Sequence, residues 1–295
     1  MLWRSRPALL LSKSEHFAAD ASQPRQFCSA AAPLPAPHQP SPAPIRSIPL
    51  RTTKLLLAGV IATAVAFTAA GCAGTATASA PETNASGVTT LKVGASFPAT
   101  DILNYVESSQ AAAAGLDLQV SEFSEYITPD TSLEDGSLDA NLYQHLPFLN
   151  QFNKDHGTHI VPVGKVYFPP LALYSKKITS LDAIASGDTI SIPSDVTNER
   201  RALLLLEKAG LITLNPNAAG PADIATNPKN LQFQELDAAT LPRALDDVKA
   251  GIVNLTYALP AGLTSEQQIY KEDVTGTPYT NLLAVKSGNE NNAAI

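Results

Sequence analysis

Between residues 91 and 285 the apolar positions change period repeatedly, and each change marks an element. Leu91, Val93 and Ala95 alternate with Lys92, Gly94 and Ser96, a period of two that predicts a strand over 91–96. Helical spacing follows from Asp101 to Ala114, and Gly115 supplies the residue type that ends helices in a left-handed conformation. Alternation returns from Leu116 to Phe123, which completes a β-α-β unit. The pattern goes on with a strand over 138–144, a helix over 148–154 and a strand over 159–163. Strands separated by single helices predict a mostly parallel sheet covered by helices on both faces.

After Pro169-Pro170, the run Leu171–Ser175 can carry the chain into a second lobe that repeats the alternation. Its predicted parts are a helix over 181–185, a strand over 189–192, a helix over 198–209, a strand over 231–236, a helix over 241–250 and a strand over 252–257. Leu282 to Val285 then returns to the first lobe. The fold class is therefore α/β with two lobes, 91–171 and 172–270, joined by crossing segments, with 271–295 as the return. Each lobe holds a mixed, mostly parallel sheet flanked by helices. Such sheets bind ligands beyond the carboxyl ends of their strands, which here means a cleft between the lobes.

The N-terminal part differs in kind. Residues 1–50 hold nine of the 23 prolines and no apolar period, so they are expected to be a disordered leader outside the fold. Arg51 and Lys54 then precede 16 uncharged residues, Leu55 to Ala70, followed by Gly71 and Cys72. That order is the one found in secretory signal peptides, and the run falls short of the roughly 20 residues a spanning helix needs. Ala69-Ala70-Gly71-Cys72 resembles a lipobox, with Ala69 where leucine is preferred; ordinary signal-peptide cleavage is the other reading. Lipid on Cys72 would hold the protein at the outer face of the cytoplasmic membrane. Residues 73–90, rich in Ala, Thr, Ser and Gly, are expected to be a flexible tether. Met1 is the only methionine, which leaves open a translation start near Leu50.

From Cys72 onward there are 13 Lys and Arg against 25 Asp and Glu, a net charge of −12, which argues against nucleic acid as a partner. Cys28 lies in the leader, so the exported chain keeps one cysteine and cannot form an internal disulfide. His145, His156 and His159 lack a completing set of ligands, so no metal is expected. Phosphate loop, nucleophile elbow and HExxH are all missing from the sequence, and neither an enzyme nor a cofactor is indicated.

What the sequence does offer suits an amino-acid zwitterion. Arg201, placed in the first turn of the predicted 198–209 helix, stands before the apolar run Leu203–Leu206, where an anchored guanidinium could grip a carboxylate with two parallel hydrogen bonds. A solvated surface arginine is the alternative, and Arg200 could be that one. Asn198, Asn254 and Asn281, near predicted element ends, can each bind a carboxylate or an ammonium, or simply cap turns. Tyr126, Tyr143, His145, Tyr167 and Phe168 concentrate rings in the first lobe, either as a pocket wall or as ordinary core.

Six blocks in order carry a resemblance. They are Asp139–His145, Tyr174–Ile178, Thr197-Asn198 with Arg201 and Leu203–Leu206, Asn227–Leu231, Leu241–Asp247 and Pro278–Leu282. Together they are similar to the NlpA/MetQ family of methionine-binding lipoproteins over about Leu91 to Val285. The resemblance implies a two-lobed periplasmic-binding-protein-like fold of type II, serving a methionine ABC importer made of a permease and its ATPase. It further implies that Arg201 pairs with the ligand carboxylate and that Asn254 and Asn281 fix the polar end. Tyr126, Tyr143, His145, Tyr167 and Phe168 would surround the side chain. Arg200 stands where the family has a small residue, which could crowd the site. The family also continues with a helical segment beyond the returning strand, whereas this sequence stops at Ile295, so an uncovered lobe and lowered stability are expected. Another amino acid or a small peptide as cargo, and a surface interaction lipoprotein with a degenerate cleft, are the competing readings.

Overall fold

The computed structural model describes residues 81–295 except 274 and 276. The leader, the signal segment, Cys72 and the start of the tether lie outside the described residues. The strands are β1 (Thr89–Ala95), β2 (Leu116–Glu122), β3 (Ala140–His145), β4 (Ile160–Tyr167), β5 (Ala172–Tyr174), β6 (Thr189–Pro193), β7 (Thr213–Leu214), β8 (Ile224–Thr226), β9 (Gln232–Leu236), β10 (Ala250–Val253), β11 (Gln268–Lys271) and β12 (Asn281–Lys286). The first lobe's sheet has the order β2-β1-β3-β12-β4 and the second lobe's β9-β6-β10-β5-β11, while β7 and β8 pair as a separate ribbon.

The two sheets share one plan. In the first, β1 runs parallel to β2 and β3, and β12 is antiparallel to β3 and β4. In the second, β6 runs parallel to β9 and β10, and β5 is antiparallel to β10 and β11. The reversed strand in each sheet is the one that has just crossed from the other lobe. The lobes face each other at the carboxyl ends of their parallel strands, so a chain that leaves one sheet there must enter the other against its neighbours. Central strands are covered on both faces: every residue of β3 and of β10 is buried, the polar Asn141, Gln144 and His145 of β3 included.

Helices α1 (Ala99–Ser109), α2 (Thr128–Glu134), α3 (Leu146–His156) and α4 (Val196–Lys208) pack on these sheets, with short turns α5 (Leu241–Ala244) and α6 (Leu255–Ala258). α3 buries Phe148, Leu149 and Phe152, begins on the side chain of His145 and ends at Gly157 in the left-handed region. α4 buries Ala202, Leu203, Leu205 and Leu206 against Ile190, Ile192 and Ile252, and Asp195 caps it by accepting from the Asn198 N–H.

Several expected elements differ. The helix over 101–114 is α1 followed by a separate 3-10 turn, Ala111–Ala114, before Gly115 at φ 71°. The stretch 181–185 makes one 3-10 turn. The helix over 241–250 stops at Ala244, where the chain turns to let β10 start at Ala250, and the strand expected over 252–257 ends at Val253 because Asn254 begins α6. α2 escaped notice because Thr128–Glu134 has little apolar period; Glu125 holds its start by accepting from the N–H groups of Ile127 and Thr128. The expected tether overlaps ordered chain, since Thr83 bridges Thr89 and Asn84 accepts from the N–H groups of Ser86 and Val88. At the other end Ala294 and Ile295 pack against the cluster built on Leu91 and Val93.

Candidate functional site

His145 closes β3 and opens α3, and both jobs fix its ring. Nδ1 accepts from the Phe148 N–H at 3.2 Å, so Nε2 carries the proton and faces Asn198 Oδ1 at 3.2 Å, across the gap between lobes. Burial, followed by the Arg201 charge, pulls its pKa down to about 3, so the imidazole is neutral. Asn198 is in turn consumed within the protein. Its amide N–H groups go to both Asp195 carboxylate oxygens at 3.1 and 3.0 Å, and its carbonyl also accepts from Asn254 Nδ2 at 3.0 Å. Asn254 Oδ1 is left buried without a partner among the described residues.

Arg201 was expected in a first turn with both prongs of its fork offered to a ligand. It lies instead in the second turn of α4, 2% exposed, and its fork is occupied. Nε donates to Glu272 Oε1 at 2.8 Å, and Nη2 donates to Glu272 Oε2 at 2.5 Å and to the Pro169 carbonyl at 2.9 Å. A cation buried this deeply requires a counter-charge, which the sequence did not reveal because Glu272 is 71 positions away. Nη1 has no hydrogen-bond partner among the described residues. Tyr279 and Phe168 lie over the guanidinium, 4.4 and 5.8 Å from its carbon to their ring centres. Arg200 does not crowd the cleft: it is exposed and donates to the Ala218 carbonyl at 2.6 Å.

The aromatic wall comes from both lobes. Tyr126 packs against Tyr143 and Phe148 in its own lobe, with ring centres 5.9 and 5.7 Å away, and meets Tyr257 of the other lobe at 5.2 Å. The Tyr143 hydroxyl donates to the Tyr126 carbonyl at 2.9 Å. Asn281 Nδ2 donates to the Tyr143 carbonyl at 2.6 Å and to the Tyr167 hydroxyl at 3.1 Å. Beneath the wall Asp130 is fully buried; its Oδ1 accepts from Asn141 Nδ2 at 2.7 Å and Gln144 Nε2 at 2.6 Å. Burial raises its pKa to about 6 despite those donors.

These residues enclose a narrow cavity between the closed lobes. Tyr126, Tyr143, His145, Asn198, Arg201, Asn254 and Asn281 all line it. Tyr167 and Phe168 do not; they stand behind Asn281 and Arg201. Gln144, Phe148, Leu255 and Thr256 line it without having been singled out. Gln144 and Phe148 could have been found, since they flank His145, but Leu255 and Thr256 carried no signal while 252–257 read as one strand. Among the described residues no three His, Cys, Asp or Glu side chains cluster as a metal site.

Two α/β lobes closing on a small cavity walled by rings, with amide groups and one guanidinium turned inward, define a substrate-binding protein. The family model for the NlpA lipoprotein matches residues 91–295. The chain belongs to that family, whose members are substrate-binding lipoproteins and not enzymes. It is 43% identical over 182 residues to the D-methionine-binding lipoprotein MetQ of Salmonella typhi, covering 60% of this chain and 67% of that one. Among solved structures it is similar to a periplasmic substrate-binding protein of an ABC transporter from Coxiella burnetii, at 43% identity and a TM-score of 0.67, covering 69% of this chain and 88% of the other. A nutrient binding protein from Burkholderia cenocepacia bound to methionine is 40% identical with a TM-score of 0.66, covering 68% and 87%.

Proposed function

We propose that this chain is the lipid-anchored, extracytoplasmic receptor of an ABC importer, closing on methionine between its lobes and delivering it to the permease. The observation that carries the reading is the pairing of opposite unsatisfied groups across one ring-walled cavity. Asn254 Oδ1 is an acceptor without a partner among the described residues, fit for an ammonium. Arg201 uses Nε and Nη2 within the protein, and Nη1, without a partner among the described residues, is fit for a carboxylate. Tyr126, Tyr143, His145 and Phe148 surround the space between, and sulfur beside a ring contributes about 0.3–1.5 kcal/mol. Asn281 shapes the wall through Tyr143, with Tyr167 and Phe168 supporting it; Asn198 holds Asn254 and His145 in place. The names of the relatives support the cargo, and the lipobox-like Ala69–Cys72 supports the anchor, with Cys72 the acylated residue.

Mass spectrometry of ligand released from the denatured protein, followed by calorimetric titration with L- and D-methionine, tests this. Co-purified methionine and binding of either form are the expected results. No heat with either form, or a different amino acid or peptide released, would defeat the methionine reading. Arg201→Ala is expected to remove binding and, by stranding Glu272, to cost about 3–5 kcal/mol of stability. Retained affinity in that variant would remove Arg201 from the site.

A further inference from the structure

We infer that Glu272 is a specificity-determining residue that cancels the charge of Arg201, so that the cleft recognises the carboxyl end of its ligand by hydrogen bonding with little net Coulombic pull. The inference rests on the reading of the site as an amino-acid receptor.

The geometry is specific. Glu272 takes the Nε/Nη2 edge of the guanidinium at 2.8 and 2.5 Å, and the second Nη2 hydrogen goes to Pro169. Its Oε2 also accepts from the Leu171 N–H at 2.9 Å, and its own N–H donates to the Leu171 carbonyl at 2.9 Å. The carboxylate is thus held from three sides and cannot swing away when a ligand arrives. Glu272 does not line the cleft cavity; it lies on the opposite side of Arg201, against a separate groove. Nη1 has no hydrogen-bond partner among the described residues and Arg201 lines the cleft cavity, so the pair offers a ligand this one nitrogen while a full negative charge sits on the Nε/Nη2 edge. An ordinary carboxylate-binding arginine offers a bidentate fork of net charge +1. Here the ligand meets one nitrogen of a neutral ion pair, and its carboxylate also feels Glu272 through a partly buried, low-dielectric path.

The consequence concerns selectivity. A hydrogen bond from a cancelled charge behaves like a neutral one, whose loss costs about 2- to 12-fold in affinity, whereas one from an uncompensated cation is worth about 12- to 150-fold. Converting the ligand carboxylate to an amide keeps a carbonyl for Nη1 and removes only the charge. Such a ligand should bind nearly as well.

Calorimetric titration of the purified chain with L-methionine and L-methioninamide reads this. The expected ratio of dissociation constants is below about tenfold, and a larger ratio overturns the proposal. Glu272→Gln keeps the shape of the side chain and removes the charge, and its ratio should rise at least about tenfold over the wild type. An unchanged or smaller ratio also overturns it, because a merely structural residue would weaken both ligands together. Should this variant fail to fold, the wild-type ratio decides alone. Absence of methionine binding in the wild type refutes the methionine reading only; the ratio for whichever amino acid the protein releases, against its amide, then judges Glu272.

Discussion

Asp130 shows how a single residue sets a pH dependence. Its pKa rises from 3.8 in the unfolded chain to about 6 when buried. The native state therefore holds its proton more tightly between those values, and stability from this group falls as pH rises through the window. The penalty, roughly 3 kcal/mol above pH 6, should vanish in Asp130→Asn, which keeps the Oδ1 acceptor for Asn141 and Gln144. The Tm difference between variant and wild type is expected to grow from pH 4 to pH 7, and a constant difference would show that burial does not shift the Asp130 pKa. His145 acts in the opposite sense, since its pKa falls from 6.5 to about 3 and its stability is lost as pH drops below 6.5. At this scale the sequence left Arg201 as either an anchored cation beside Leu203–Leu206 or a solvated surface residue, and its 2% exposure decides for burial. Glu272 and Asp130 were invisible, because a counter-charge or a buried carboxylate is identified only by what packs around it.

At the scale of elements, two glycines report how tightly strands are packed. Gly251 of β10 lies opposite Ser191 of β6, and an added Cβ would collide with Ser191 Oγ and reach 2.8 Å from Leu245 Cδ2. Gly251→Ala should therefore cost about 1–3 kcal/mol, measured by denaturant unfolding. At Gly94 the obstacles are the side-chain ends of Leu138, at 2.6 Å, and Phe123, at 3.1 Å, which can turn aside. Gly94→Ala should cost less, and a reversed order would show that β10 and β6 are looser than their register implies. Strands whose apolar residues alternate, such as β1 with Leu91, Val93 and Ala95 and β6 with Ile190 and Ile192, were legible from sequence. α2 and α6 were not, because one is mostly polar and the other, Leu255–Ala258, fits either period over so short a stretch.

On the scale of the whole molecule, the proposed receptor function makes closure the functional act. His145 meeting Asn198 and Tyr126 meeting Tyr257 are two of the side-chain contacts that join the lobes beside the cavity. Both crossing segments are pinned to one spot by Arg201, through Pro169 on the way out and Glu272 on the way back. Removing a contact at the mouth should therefore speed opening without disturbing the hinge. Tyr257→Ala is expected to raise the dissociation rate of methionine about 2- to 12-fold, the worth of an aromatic pair, with a small change in association rate. Stopped-flow fluorescence would show it, and an unchanged dissociation rate would mean that the tyrosines do not hold the lobes together.

By itself the sequence determined the α/β class and the two-lobed plan, and it named Tyr126, Tyr143, His145, Asn198, Arg201, Asn254 and Asn281, which line the cavity, because period and short blocks are local properties of the chain. Tertiary structure alone decided that Asn198 is spent inside the protein, that Tyr167 and Phe168 stand behind the cavity and that Nε and Nη2 of Arg201 are taken by Glu272 and Pro169. Those facts depend on which side chains from distant segments meet in a low-dielectric interior, where every buried charge and amide must find a partner.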